Sequence, residues 1–357
     1  MSEGPEPNRS LTRGVGGWVW TPIRAAVVHR ELSIFGVFCV VFVAFALLAG
    51  VQLFLSPQAV ANYLDIAAEI GISAAAMVLL MTAGEFDLSV GSMVGASEML
   101  MAYLILQLHW TLAAALAVTL AFAATVGFIQ AQIIVRTGLP SFLVTLAGLF
   151  VLLGLAEGFG IVLLGSTQVS GELDVLQGDP LIRFFDGRLF SGFVPVSAVW
   201  WLGLTAVSAY ILHQTRFGNW IYGTGGNLQS ALKSGVPVFR LKTLLYMGTA
   251  CASTLIGALI MLSINTAAAD EGSNLVFEVV TVAVIGGTLI TGGKGSAIGA
   301  AIASLLFGVI SQGFFLTDIP QYWYDVFVGV MLLGAILVDR YAAAFAEIGS
   351  ARAQRSQ

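Results

Sequence analysis

Two carboxylates two positions apart, Glu85 and Asp87, stand in Gly84-Glu85-Phe86-Asp87-Leu88-Ser89-Val90-Gly91-Ser92, a polar glycine-rich stretch between two apolar segments. With Ser89 they offer oxygens that can contact solute hydroxyls along a polar path or pass on a proton. Hydrocarbon can neither solvate a carboxylate nor satisfy an opened backbone, so such a stretch survives at a membrane only when buried in protein or lining a wet path. Asp87 has a second reading: placed before Leu88-Ser89, it suits an N-cap for the apolar segment that follows. Further acids fall in apolar segments, Asp65, Glu69, Glu98 and Glu157 among them. Asp65 and Glu69 are four apart on one helix face near the expected outer edge, while Glu98 and Glu157 lie deeper. Intramembrane acids are functional candidates by default; the rival reading is that they bond backbone donors at broken helices or face the outer interface.

A second interruption, Gly286-Gly287-Thr288-Leu289-Ile290-Thr291-Gly292-Gly293-Lys294-Gly295-Ser296, ends much as the first does: Gly91-Ser92-Met93-Val94-Gly95-Ala96 against Gly295-Ser296-Ala297-Ile298-Gly299-Ala300. Gly91 with Gly95, and Gly295 with Gly299, have the spacing that lets helix backbones approach closely. The match raises an internal repeat.

No catalytic apparatus is visible. The second interruption narrowly misses a phosphate loop, with its lysine one position late and glycine in place of Ser/Thr. Gly223-Thr224-Gly225 has Leu228 where a dinucleotide fingerprint needs glycine. His29, His109 and His213 sit at predicted membrane edges and form no metal cluster. Cys39 and Cys251 read as small buried hydrophobes. The chain is therefore expected to bind no metal, cofactor or ATP itself, and to be no enzyme.

These groups need a scaffold, and composition says which kind. The chain is 58% apolar and 10% charged with a mean hydropathy of +0.92, against about 25% charged in soluble proteins. The expected fold class is an all-α polytopic membrane protein. Ten candidate spans can be marked, at approximately 33–54, 60–82, 89–108, 111–135, 140–165, 194–213, 241–264, 275–291, 296–315 and 321–338. The glycine-rich hairpins join the second to the third and the eighth to the ninth, and either pair could be partly re-entrant. The first run exceeds a signal-peptide core and reads as a retained span. The division is a cytoplasmic N-terminal segment 1–32, a transmembrane domain 33–338 and a cytoplasmic tail 339–357. With the N-terminus inside, thirteen of the fifteen basic residues fall inside and only Arg183 and Arg188 outside, as the positive-inside rule requires. Outer loops carry acids instead, among them Glu172, Asp174, Asp270, Glu271 and Asp318. Trp110, Trp200, Trp201, Trp220 and Trp323 near span ends read as an aromatic belt.

Two connections are longer than turns. The outer one, 166–193, could pack over the outer face. In the inner one, 214–240, Gly223-Thr224-Gly225-Gly226-Asn227 reads as a flexible turn. Leu228-Gln229-Ser230-Ala231-Leu232-Lys233-Ser234 then reads as a short helix with Asn227 as N-cap, Gly235 as C-cap and Pro237 as stop. Such a helix is either a docking element or an ordinary interfacial loop. Leu228, Ala231 and Leu232 form one face of it.

Taken together the chain resembles the inner-membrane permeases of bacterial ABC importers for monosaccharides, the ribose/xylose-type branch. The resemblance is carried by Asp87-Leu88-Ser89-Val90-Gly91 and Pro140-Ser141-Phe142-Leu143-Val144-Thr145-Leu146. It continues through Gly226-Asn227 with Ala231, Ser234, Gly235 and Val236, then Ile285-Gly286-Gly287-Thr288, Gly292-Gly293, Gly295-Ser296 and Leu337-Val338-Asp339-Arg340. It implies a homodimeric pore in the inner membrane with both termini cytoplasmic. It also implies a separate ABC ATPase subunit that binds the ATP, and an extracytoplasmic sugar-binding protein; nucleic acid has no part. Gly226, Asn227, Leu228, Ala231, Leu232, Ser234 and Gly235 would then form the ATPase-coupling segment. Glu85, Asp87, Ser89, Phe142 and Thr145 would line the substrate path. Glu85-Phe86 departs from the family, which usually has a small and an aliphatic residue there. The alternatives are a proton-coupled secondary transporter, suggested by the intramembrane acids, and a branched-chain amino-acid permease of related architecture.

Overall fold

A computed structural model describes residues 30–337 except Gln177, Asp318 and Gln321. The N-terminal arginines up to Arg24, His29, Asp318, Val338-Asp339-Arg340 and the tail 339–357 lie outside the described residues.

The described chain is mostly helical, and its helix ends follow from local sequence. Helix α1 (Arg30–Ala49) and a single turn α2 (Val51–Phe54) lead to α3 (Pro57–Thr82). There Ser56 accepts the Ala59 N–H at 3.3 Å and Pro57 takes the first helical position, where its missing N–H costs nothing. Next come α4 (Val90–Leu106) and α5 (Leu112–Thr137), the latter capped by Thr111 and ended by Gly138 in the left-handed region. Helix α6 (Ser141–Phe159) runs on through one π-helical turn, Gly160–Leu164. After the outer connection come α7 (Val196–Gln214), α8 (Arg216–Gly226), α9 (Leu228–Lys233) and α10 (Val238–Ile264). Helix α11 (Leu275–Ile285), α12 (Ala297–Leu316) and α13 (Tyr322–Leu337) complete the order.

Among the described residues, six helices are long and apolar enough to cross a bilayer: α3, α5, α6 with its π turn, α7, α10 and α12. The apolar part of α1, together with α4, α11 and α13, is shorter. The expected eighth span, 275–291, ends at Ile285. Its 11 residues reach about 17 Å at 1.5 Å per residue, short of a hydrocarbon core of about 30 Å. The remainder turns back inside the protein.

Helices α3, α4, α10 and α12 form the centre, with α5, α6 and α7 outside them. Lipid gives apolar helices no reason to associate, so contact depends on close fit. The four expected glycines do sit at close approaches, but the partners differ from the helix pairs anticipated. A Cβ on Gly91 would meet the Gly272 carbonyl, and one on Gly95 would meet Ala269, both in the loop before α11. Gly299 abuts Gly286 at the end of α11, and Gly295, which precedes α12, abuts Thr82. Two further expectations are corrected. Trp201 is 4% exposed and packs on Gly71 between α3 and α7 instead of joining a belt, and Cys39 is exposed on α1.

The outer connection is anchored by short strands. β1 (Gln168–Ser170) pairs antiparallel with β4 (Thr266–Ala268), and β2 (Arg188–Leu189) with β3 (Val194–Pro195). Trp200 donates its indole N–H to the Phe184 carbonyl at 2.8 Å, holding this connection against α7.

Candidate functional site

The hairpin between α3 and α4 is built by a helix stop. The Glu85 N–H returns to the Leu80 carbonyl at 3.2 Å and the Gly84 N–H to Met81 at 2.9 Å, with Gly84 at φ +85°. This closing pattern needs a left-handed residue, which glycine supplies without strain. The chain then carries Glu85 and Asp87 into the protein, 7% and 1% exposed.

Both carboxylates are met by α10. Lys242 Nζ donates to Glu85 Oε1, and the Tyr246 hydroxyl donates to Glu85 Oε2 at 3.2 Å and to the Phe86 carbonyl at 3.1 Å. Thr249 donates to Asp87 Oδ2 at 2.6 Å. Asp87 Oδ1 accepts both the Ser89 N–H, at 3.0 Å, and the Ser89 hydroxyl, at 2.6 Å. Gln130 of α5 donates its amide to Ser89 Oγ at 2.9 Å. From α6, Ser141 Oγ accepts the Phe86 N–H and Thr145 Oγ1 accepts the Leu88 N–H, each at 3.1 Å. The opened backbone and both acids are thus satisfied by protein, as buried polar groups must be.

Glu85, Asp87, Ser89 and Thr145 therefore come together, whereas Phe142 is 51% exposed on another side of α6. Asp87 is not the N-cap expected: α4 begins at Val90 with Ser89 in the cap position and no side-chain cap bond. Asp87 instead closes a local turn and ties it to α10. Lys242, counted as a cytoplasmic basic residue, is the buried partner of Glu85, with its side chain 12% exposed. Lys242, Tyr246 and Thr249 are spaced i, i+4 and i+7, one helical face, which is the signal that would have found them.

The inner connection is helical where a flexible turn was expected. α8 runs to Gly226, and a Cβ on Gly225 would meet the Thr82 carbonyl and stand 2.6 Å from Gly293 N. Asn227 then caps α9, accepting the Ser230 N–H at 2.9 Å, and Gly235 closes it at φ +77°. Leu228 and Leu232 are exposed (39% and 49%), but Ala231 is only 5% exposed. Ala231 seats α9 on the protein and does not share an outward face with the two leucines.

At the opposite helix ends, Ser197 donates to Asp65 at 2.5 Å, with Arg188 3.9 Å from the same carboxylate. Glu98 is fully buried and accepts the Ala268 N–H at 3.0 Å; Glu157 is exposed. Glu69 borders a polar cavity of about 330 Å³ with Asp270, Glu271, Asn274 and Glu278. Burial, reinforced by neighbouring Asp270, pushes the Glu271 carboxyl above its usual range. Burial does the same to Asp186, against the pull of Arg188.

Residues 59–336 match the family described as the branched-chain amino acid transport system permease component. The chain is 30% identical over 310 residues to the probable ABC transporter permease protein YphD of Escherichia coli K12, covering 87% of this chain and 89% of that one. It is 28% identical over 268 residues to the autoinducer 2 import system permease protein LsrD of Salmonella typhimurium LT2, covering 75% and 79%. It is 29% identical over 269 residues to the ribose import permease protein RbsC of E. coli K12, covering 75% and 81%. No solved structure matches.

Proposed function

The chain belongs to the branched-chain amino acid transport system permease family, and we propose that it is the membrane-spanning translocation subunit of an ATP-driven importer for a monosaccharide or related polyol. It is a multi-pass inner-membrane transport subunit and not itself an enzyme. The named relatives that import ribose and autoinducer 2 support the polyhydroxylated substrate over a branched-chain amino acid. In this reading two copies form the pore, both termini are cytoplasmic, an extracytoplasmic sugar-binding protein delivers the substrate, and ATP is bound by a separate ATPase subunit. Glu85, Asp87, Ser89, Phe142 and Thr145 remain the proposed path residues, and Gly226 to Gly235 the ATPase-coupling segment.

The observation that carries the coupling role is α9 itself: six residues, capped at one end and closed at the other, with Leu228 and Leu232 turned outward. A few residues dominate the energy of such small interfaces. Leu232→Arg should abolish co-purification with the ATPase and uptake of a monosaccharide panel while the spans stay folded. Ala231→Arg would probe seating instead, because that side chain points into the protein. Full complex formation and normal uptake with Leu232→Arg would overturn the docking role. The intramembrane acids favour one rival, a proton-coupled secondary transporter. Proton-driven uptake by the chain alone in liposomes would establish it in place of the ATP-driven reading.

A further inference from the structure

Both ends of α9 lead to the same hairpin. On its N-terminal side, α8 ends at Gly225 and Gly226, where three backbones meet with no side chain between them. A Cβ on Gly292 would stand 2.8 Å from Gly84 Cα and 3.1 Å from Gly225 Cα, and one on Gly293 would stand 3.0 Å from Gly226 Cα. The Gly293 N–H donates to the Thr82 carbonyl at 2.8 Å, locking the second glycine hairpin to the end of α3. On the C-terminal side, Gly235 and Pro237 lead into the first turns of α10, where Lys242 pairs with Glu85. The hairpin then passes its own N–H groups to Ser141 and Thr145 at the start of α6. Within one copy of the chain, α6 packs least against its neighbours among the long apolar helices: 17% of its apolar stretch is buried, against 61% for α10 and 67% for α3.

We infer that hairpin 83–89 is the transmission element between α9 and the first turns of α6, and that the Glu85–Lys242 pair is the clamp that makes it move with α10. The inference rests on the reading of α9 as the ATPase dock. Backbone atoms in direct contact have no rotamers in which to absorb a displacement, and packed interiors transmit strain. A buried ion pair resists parting because separation strands two charges away from water. The loosely embedded α6 is the element that can shift at low cost. A push on α9 therefore arrives at the hairpin from both sides and leaves through Ser141 and Thr145. Glu85 and Lys242 act here as positioning residues, through the hairpin.

The test uses the permease co-expressed with its ATPase, with Cys39 and Cys251 replaced by alanine and Phe142→Cys as reporter. The rate at which a maleimide alkylates that position is compared without nucleotide and with Mg-ATP plus vanadate. The unaltered clamp should give a several-fold nucleotide-dependent change. Glu85→Gln with Lys242→Met removes both charges at once and strands neither; it should keep ATPase co-purification and lose the change. Exchange of the pair, Glu85→Lys with Lys242→Glu, should restore it. A full change in the neutral double variant, no change with the clamp intact, or loss without recovery on exchange would each overturn the relay. Failure of the unaltered permease to bind the ATPase would instead defeat the reading of α9, and the relay with it.

Discussion

Asp87 shows what one buried carboxylate does here: it accepts from Ser89 twice and from Thr249 once. Removing it leaves the buried Ser89 N–H without a partner, at about 1–3 kcal/mol, and makes the Ser89 and Thr249 hydroxyls fall back on Gln130 and the Tyr246 carbonyl alone. Removing one donor costs less. Asp87→Ala should therefore lower the thermal midpoint of the detergent-purified permease clearly more than Thr249→Val does, and equal shifts would show that the carboxylate is not the hub. Asp87 was legible in the sequence because an acid within a glycine-rich stretch between apolar runs has few explanations. Its partners were harder to see. Lys242 lies in a basic stretch expected on the cytoplasmic side, and a count of positive charges by side hides the one that folds inward. The stripe Lys242, Tyr246, Thr249 was present at helical spacing, but nothing local says which hairpin it faces.

At the scale of elements, glycine carries the geometry, and α8 contains its own control. A Cβ on Gly223 meets nothing within 4 Å, whereas one on Gly225 meets the backbone of Thr82 and Gly293. Both are helical, so alanine brings each the same intrinsic gain, up to about 1 kcal/mol. Gly223→Ala should be neutral or stabilising by that amount. Gly225→Ala should destabilise by about 1–3 kcal/mol, the usual cost of overpacking, since backbone atoms cannot rotate aside. Thermal unfolding of the two variants checks the order, and equal behaviour would rule out the three-backbone junction. Asn227→Ala should cost about 0.5–2 kcal/mol of local helix stability, read as faster amide exchange in α9. Its cap and stop were legible because Asn, Gly and Pro act through their immediate neighbours. The run Gly223–Gly226 reads as flexible in sequence for the complementary reason: Gly225 and Gly226 serve contacts with Thr82 and Gly293, distant in the chain, which composition does not reveal. The Gly91/Gly95 pair taught the same lesson, with close approach foreseen and the partner, a loop, not.

Across the whole molecule the contacts sort the charges into two ends. Asp65 meets Ser197 at the start of α7 and lies 3.9 Å from Arg188, and Asn265 at the end of α10 donates to Asp174 at 3.0 Å. These acids share an end with Asp270 and Glu271. The other end gathers the close of α3, the close of α8 and the second glycine hairpin, and carries Arg216, Lys233, Arg240 and Lys294 close by in the chain. Basic loops are retained on the cytoplasmic side during insertion, and anionic lipid on that leaflet favours them further. The basic end should therefore face the cytoplasm, which also puts α9 where an ATPase could reach it and β1 where a binding protein could. Ser170 in β1 and Gln229 in α9 are both exposed, so each can report one end. In a background lacking Cys39 and Cys251, an impermeant maleimide added to spheroplasts should label Ser170→Cys directly, and Gln229→Cys only after permeabilisation. The opposite pattern would invert the molecule, place α9 outside, and remove the physical basis for coupling to a cytoplasmic ATPase.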